Sequence, residues 1–288
     1  MSKRVISAGL DIVVAATILI SGIIYYGNFY INGEKEFSFY QKYLYSAVNI
    51  RCVNDPDFRV YNSPASQELD ERINLASISC DELATSPKIA GNSYYNGWHD
   101  THPIFSTLVG LVWRAGDFTW EALWPIAGSL AGLAMLSFYV ILRCFGLPWY
   151  AAALLFPMAI PSALLERYFF FLRDYSKVPF ILLSFALLGI LFRPGLSYRW
   201  RLLVLAASTC MIAIGMGFRQ DSAVLMPTIL AGAVFTSTLD NKRGILRFVG
   251  DVAIILLTFF LVGSAVDLLK TSQVAQLQGY PHFIVQGF

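Results

Sequence analysis

The chain has 288 residues, of which 56% are hydrophobic and 14% charged, with a formal net charge of +2 and a mean hydropathy of +0.57. A soluble domain of that composition would expose large apolar patches, so a membrane is the expected environment and the lipid bilayer the first partner. No nucleic-acid partner is expected.

The first four residues, with Lys3 and Arg4, precede an apolar run at 5–26. At roughly twenty residues this run is long enough to cross about 30 Å of hydrocarbon. No small-residue cleavage site follows it closely, so it reads as a retained anchor whose basic start is held in the cytoplasm.

A polar excursion at 26–100 comes next, rich in Asn, Asp, Ser, Pro and Glu and net acidic. Within it, 35–50 sets Phe37, Tyr40, Leu44 and Val48 at helical spacing, as a helix lying on the membrane does. Cys52 and Cys80 are its two cysteines. In an oxidising compartment such an isolated pair is a candidate disulfide, whereas Cys144 and Cys210 read as unpaired. The following segment, 102–116, is apolar but at about fourteen residues too short to span. It reads as an interfacial or re-entrant helix that buries Ile104, Phe105, Leu108, Leu111 and Val112 while Arg114 reaches the headgroups.

Six further apolar stretches occupy 118–142, 148–165, 175–192, 202–218, 223–237 and 246–269. The expected fold is therefore all-α and polytopic, with about seven transmembrane helices and a large extracytoplasmic loop at about 27–117 that holds the two membrane-parallel helices. Residues 1–268 form the module. Residues 269–288 form an outer tail, read either as the end of a minimal module or as the start of a longer remainder.

Orientation follows from the basic residues of short loops, which are retained in the cytoplasm. With the N-terminus inside, the inner loops hold Arg143, then Arg193, Arg199 and Arg201, then Lys242, Arg243 and Arg247. The outer side also carries bases, each within a few residues of an acid: Glu166-Arg167, Arg173-Asp174 with Lys177, and Arg219 with Asp221. Singly, each reads as a base snorkelling to headgroups beside a paired acid. Three charged turns on one side, facing one acidic loop, read as a polar pocket.

Four segments in this order carry a resemblance. Gly33-Glu34-Lys35-Glu36-Phe37 follows the first span, and Asn96-Gly97-Trp98-His99-Asp100-Thr101-His102-Pro103 opens the second parallel helix. Arg173-Asp174-Tyr175-Ser176-Lys177-Val178-Pro179-Phe180 and Gly217-Phe218-Arg219-Gln220-Asp221, with Pro227 beyond, mark the second and third outer turns. Together they resemble the lipid-linked sugar transferases of the GT-C fold, the class that includes protein O-mannosyltransferases and aminoarabinose transferases. The first motif has Glu where that family usually has Asp, Ile104 stands in place of a second Pro, and Trp124-Pro125 stands where an Arg is often found.

The resemblance implies an inverting glycosyltransferase in a bacterial inner membrane, moving a sugar from a polyprenyl-phosphate donor to an acceptor on the outer face. Such chemistry needs a carboxylate to take the acceptor's proton and cations to neutralise the departing phosphate. Glu34 or Glu36 is the candidate base, and Asp174 either orients the acceptor or holds a divalent metal ion. Lys177 and Arg219, with Arg173 and His102, are the candidate phosphate contacts, and His99, Asp100 and Asp221 complete the pocket. No Cys/His spacing resembles a zinc site. A transporter or flippase would place polar residues inside broken spans, and a noncatalytic scaffold would not need acids and bases converging on one side. Here the ionisable residues sit at span ends, which favours a surface-facing site.

A cysteine placed at Ser197 is expected to resist a membrane-impermeant thiol reagent in intact cells, and labelling there overturns this topology.

Overall fold

A computed structural model describes residues 3–32, 47, 51, 79–80, 102–159, 172–192, 195–238 and 244–267, and every regular element among them is helical. Helix α1 (Lys3–Asn32) is followed by α2 (Pro103–Ala115), a 3₁₀ turn (Glu121–Leu123) running into α3 (Trp124–Cys144), and α4 (Trp149–Ala159). A helical turn (Leu172–Tyr175) precedes α5 (Val178–Leu191) and α6 (Tyr198–Phe218). A second 3₁₀ turn (Gln220–Leu225) leads into α7 (Met226–Thr238), and α8 (Gly244–Asp267) closes the described part.

The boundaries have local causes. Helices α2, α3 and α5 each carry Pro in the first turn, where the missing N–H would have had no helical partner. Helix α3 ends in a left-handed Gly146, at φ 84°, whose N–H bonds the Arg143 carbonyl while Leu147 N–H reaches the Leu142 carbonyl. That pair of bonds is a Schellman stop, and a side chain at Gly146 would strain it.

Among the described residues, four helices are long and apolar enough to cross a membrane: Gly9–Asn32, Glu121–Cys144, Tyr198–Phe218 and Gly244–Asp267. Helices α4, α5 and α7 stand where the other three spans are expected, but α5 has 14 residues and α7 has 13. At 1.5 Å per residue each rises about 20 Å, less than the hydrocarbon thickness. The apolar stretch of sequence is longer than the helix because Lys177 precedes α5 and a 3₁₀ turn takes the first residues of the α7 stretch.

Cross-helix contacts give the directions. Asp11 meets Arg143 and Gly22 meets Gly132, so α1 and α3 are antiparallel. Ser137 lies against Pro179 and Cys144 against Gly189, so α3 and α5 run parallel and the chain between them must return. Phe180 packs on Phe218 and Ser184 on Ser208, which makes α5 and α6 antiparallel. Arg201 meets Asp251 and Gly217 meets Val266, which makes α6 and α8 parallel. Asp174, Lys177, Arg219, Asp221 and Asp267 therefore share one end of the bundle, and Asp11, Arg143, Arg201 and Asp251 lie toward the other.

Helices α1 and α3 touch backbone to backbone. A Cβ at Gly128 would lie 2.5 Å from the Ile23 carbonyl oxygen, and one at Gly132 would lie 2.7 Å from that of Leu19. In lipid, where apolar side chains gain little by leaving the solvent, such close approach is a main source of helix association. The outer faces of α1 (Ile12, Val13, Ile20, Ile24) and α8 (Ile245, Leu246, Phe260, Leu261) are exposed and apolar, as lipid contact requires.

Helix α5 begins alongside Ser137, past the midpoint of α3, which leaves a step beside the first half of α3. The step is filled by α2, whose Phe105, Val109 and Trp113 share a core with Ile126, Ala127, Leu130 and Ala131 of α3 and with Tyr175, Phe180 and Phe218. The expected buried set of α2 is corrected by this packing: Phe105 is buried, but Leu108 and Leu111 lie on the exposed face, and Val109 and Trp113 take their place.

A second correction concerns Arg201, expected as an inner-loop charge. It is buried in the first turn of α6, 9% exposed, where it bonds Asp251 Oδ2 of α8 and the Ala233 carbonyl of α7 at 3.1 Å. Asp251 is 0% exposed and lies within a candidate span, as does Asp11, so not every ionisable residue sits at a span end.

Arg201→Met is expected to destabilise the detergent-solubilised protein by about 3–5 kcal/mol through the orphaned Asp251, and the double change Arg201→Met/Asp251→Leu to recover most of it in thermal unfolding. Gly132→Ile should cost about 1–3 kcal/mol in the same measurement by forcing α1 off α3.

Candidate functional site

The end of the bundle that carries the outer charges is drawn together by aromatic packing. The Phe180 and Phe218 rings lie 4.7 Å apart, and Gly215 lets α6 come so close that a Cβ there would be 3.1 Å from Phe180 Cβ and 3.3 Å from Ser222 Oγ. Beyond Phe218 the chain leaves the helix at an extended Arg219, with φ −161° and ψ 124°. Ser222 N–H then returns to the Arg219 carbonyl at 3.1 Å, which turns Asp221 back toward the start of α5. On the other side, Ser176 N–H bonds the Leu172 carbonyl at 2.8 Å and places Asp174 and Lys177 on the facing turn.

Four of the residues expected in the pocket meet here. Arg219 Nη1 donates to Asp174 Oδ1, and its Nε lies 3.1 Å from Asp221 Oδ2. Lys177 Nζ donates to the same Asp221 Oδ2, so one carboxylate oxygen is shared by an ammonium and a guanidinium. The side chains of Lys177 and Arg219 are 24% and 26% exposed, and those of Asp174 and Asp221 44% and 45%. Two acids and two bases sum to zero charge, which lets the cluster sit beside a membrane without a large desolvation penalty.

A cavity of about 330 Å³ lies at this end of the bundle, lined mainly by apolar groups including Pro103, Met216, Phe259 and Phe260, with Gln220, Ser264 and Asp267 as polar members. Gln220 stands between Arg219 and Asp221 in the chain, so the cavity wall and the charge cluster adjoin along the backbone. His102 is buried at the start of α2, next to the cavity-lining Pro103, and its carbonyl accepts from Ser106 N–H at 2.9 Å.

Glu34, Glu36, His99, Asp100 and Cys52 lie outside the described residues, as does the Arg173 side chain. The expected helix at 35–50 also falls there, apart from a fully buried Ala47. Cys80 is disulfide-bonded, and Cys144 and Cys210 are free thiols. Among the described residues no group of three or more His, Cys, Asp or Glu is placed to hold a metal ion. Asp174 and Asp221 do not fit a divalent cation either, because Arg219 sits between them and bonds both.

Sequence reasoning missed Arg51. Its Nη1 donates to the Trp113 carbonyl at 2.6 Å, at the end of α2, and its guanidinium lies 4.4 Å over the Phe118 ring. Burial lowers the Arg51 pKa and the Asp117 charge partly restores it, so the guanidinium stays protonated and ties the large loop to the bundle. Ala47 and Cys80 pack against the same core. The only sequence signal was the position of Arg51 beside Cys52. Asp11, which accepts from both Arg143 Nε and Nη2 at 2.7 Å and from Tyr139 at 2.8 Å, was legible as an acid inside an apolar run, and so was Asp251.

No protein-family model matches the chain, and comparison with curated proteins and with solved structures found no match.

Proposed function

We propose that this chain is a seven-span membrane glycosyltransferase that moves a sugar from a polyprenyl-phosphate donor to an acceptor on the extracytoplasmic face. The observation that carries the reading is the cluster of Lys177, Arg219, Asp174 and Asp221 on a turn whose Gln220 lines a largely apolar cavity of about 330 Å³. A phosphate joined to an isoprenoid chain needs those two environments side by side, cations for its head and an apolar groove for its chain. The parallel course of α3 and α5, and of α6 and α8, supports alternating passes of the chain. The N-terminus is then cytoplasmic, and the charge cluster faces the large loop.

In this reading the acceptor hydroxyl oxygen attacks the anomeric carbon from the face opposite the phosphate. The bond from that carbon to the phosphate oxygen breaks, its electron pair stays on the phosphate, and the acceptor's proton passes to a carboxylate, with inversion at the carbon. Arg219 and Lys177 meet the charge that grows on the leaving oxygen, and preorganised cations act there without reorganising. Asp174, fixed by Arg219, is a described candidate for the base, and Glu34 and Glu36 of the loop remain candidates beside it.

Glu34→Gln, Glu36→Gln and Asp174→Asn separate these candidates. Loss of the true base is expected to lower turnover by roughly 10²–10⁴-fold while donor binding changes little. Arg219→Ala should weaken donor binding as well, because the phosphate is charged before reaction. Donor-binding and turnover assays on the four variants decide between this enzyme and a noncatalytic scaffold, since transfer at the parent rate in all four removes the proposed site.

A further inference from the structure

The arrangement around Asp221 carries one step more, resting on the phosphate-binding reading above. Asp221 makes both of its ion pairs through a single oxygen, Oδ2, which Lys177 Nζ and Arg219 Nε share. An anionic oxygen bridging an ammonium and a guanidinium is the position that a phosphate oxygen takes between two such cations. The Asp221 side chain is 45% exposed, and Gln220 next to it in the chain lines a largely apolar cavity. We propose that Asp221 is an internal competitor of the lipid phosphate: its carboxylate holds the phosphate position in the empty protein and is displaced when a phosphate-bearing lipid binds.

The energetics favour such an exchange. Half-exposed pairs are worth little, so releasing Asp221 into water is cheap. A phosphate gains charge-assisted bonds to both cations. Asp174 keeps its own bond to Arg219 Nη1 and so holds the guanidinium in place while its Nε changes partner.

The consequence runs against the usual effect of removing a polar residue from a binding site. With the full chain in detergent micelles, Asp221→Asn is expected to bind a long-chain prenyl monophosphate roughly two- to five-fold more tightly than the parent, the worth of the lost competing pair. Asp221→Ser, which removes the charge with a smaller side chain, should show a gain of the same sign, and Asp221→Glu a smaller one. The gain should be weaker with inorganic phosphate, which cannot use the cavity, and thermal unfolding of each variant confirms that a folded protein is being titrated. Equal or weaker prenyl-phosphate binding by folded Asp221→Asn and Asp221→Ser overturns the exchange. If Lys177→Ala and Arg219→Ala weaken binding in that case, the phosphate site itself stands and only the competitor role falls. If those two variants bind as the parent does, the phosphate reading and the exchange fall together, and a gain confined to inorganic phosphate overturns the lipid as its partner.

Discussion

Charge pairing across helices is the constraint on which the rest of this structure depends. Ionised groups that enter an apolar bundle are costly unless paired, and among the described pairs all but Arg219–Asp221 join separate elements rather than neighbours in sequence. Asp11 and Arg143 join α1 to α3, Arg201 and Asp251 join α6 to α8 with an α7 carbonyl between, and Arg219 joins the turn before α5 to the turn after α6. Each pair fixes the register of its helices, because a shift of one turn would leave both charges without a partner.

The pairs differ in exposure, and that difference separates architecture from chemistry. Arg201 and Asp251 are shut away from solvent, where the attraction only offsets the cost of desolvation and where removing one member leaves a stranded charge. The cluster of Asp174, Lys177, Arg219 and Asp221 is partly open and electrically balanced, so its members can change partners at small cost. Tight glycine contacts between α1 and α3 supply the rigid wall against which α2 packs, and α2 in turn supplies Pro103 to the cavity beside the cluster. A rigid buried frame below an exchangeable set of charges is a sound platform for a ligand that is itself half charged and half apolar.

Much of this was legible in the residues. The hydrophobic runs locate every long helix, since a membrane span needs about twenty apolar residues and few other structures do. The turns of Asp174 with Lys177 and of Arg219 with Asp221 were legible as one group because bases with nearby acids recur at the ends of successive apolar stretches, and Glu166-Arg167 lies outside the described residues. Partner choice was not. Asp174 stands next to Arg173 and three residues from Lys177, yet it bonds Arg219, which arrives from the far end of another helix. The buried face of α2 was misjudged for a related reason: Val109 and Trp113 face inward because α3 lies on that side, and the periodicity of a uniformly apolar helix does not say where its neighbour stands.

By itself, the sequence determined the membrane class, the helical content, the approximate places of the helices, and that charged turns recur at the ends of apolar stretches. These follow from hydropathy, proline and glycine positions and charge bias, which act over a few residues at a time. Only the tertiary structure decided that α3 and α5 run parallel with α5 starting partway along, that α2 fills the resulting step, and that Arg201 is buried against Asp251. It also decided that one oxygen of Asp221 bridges Lys177 and Arg219. The contacts of Ser137 with Pro179, Lys177 with Asp221 and Arg201 with Asp251 join residues 40 or more positions apart, and distances of that kind are set by how helices pack, not by what any one helix contains.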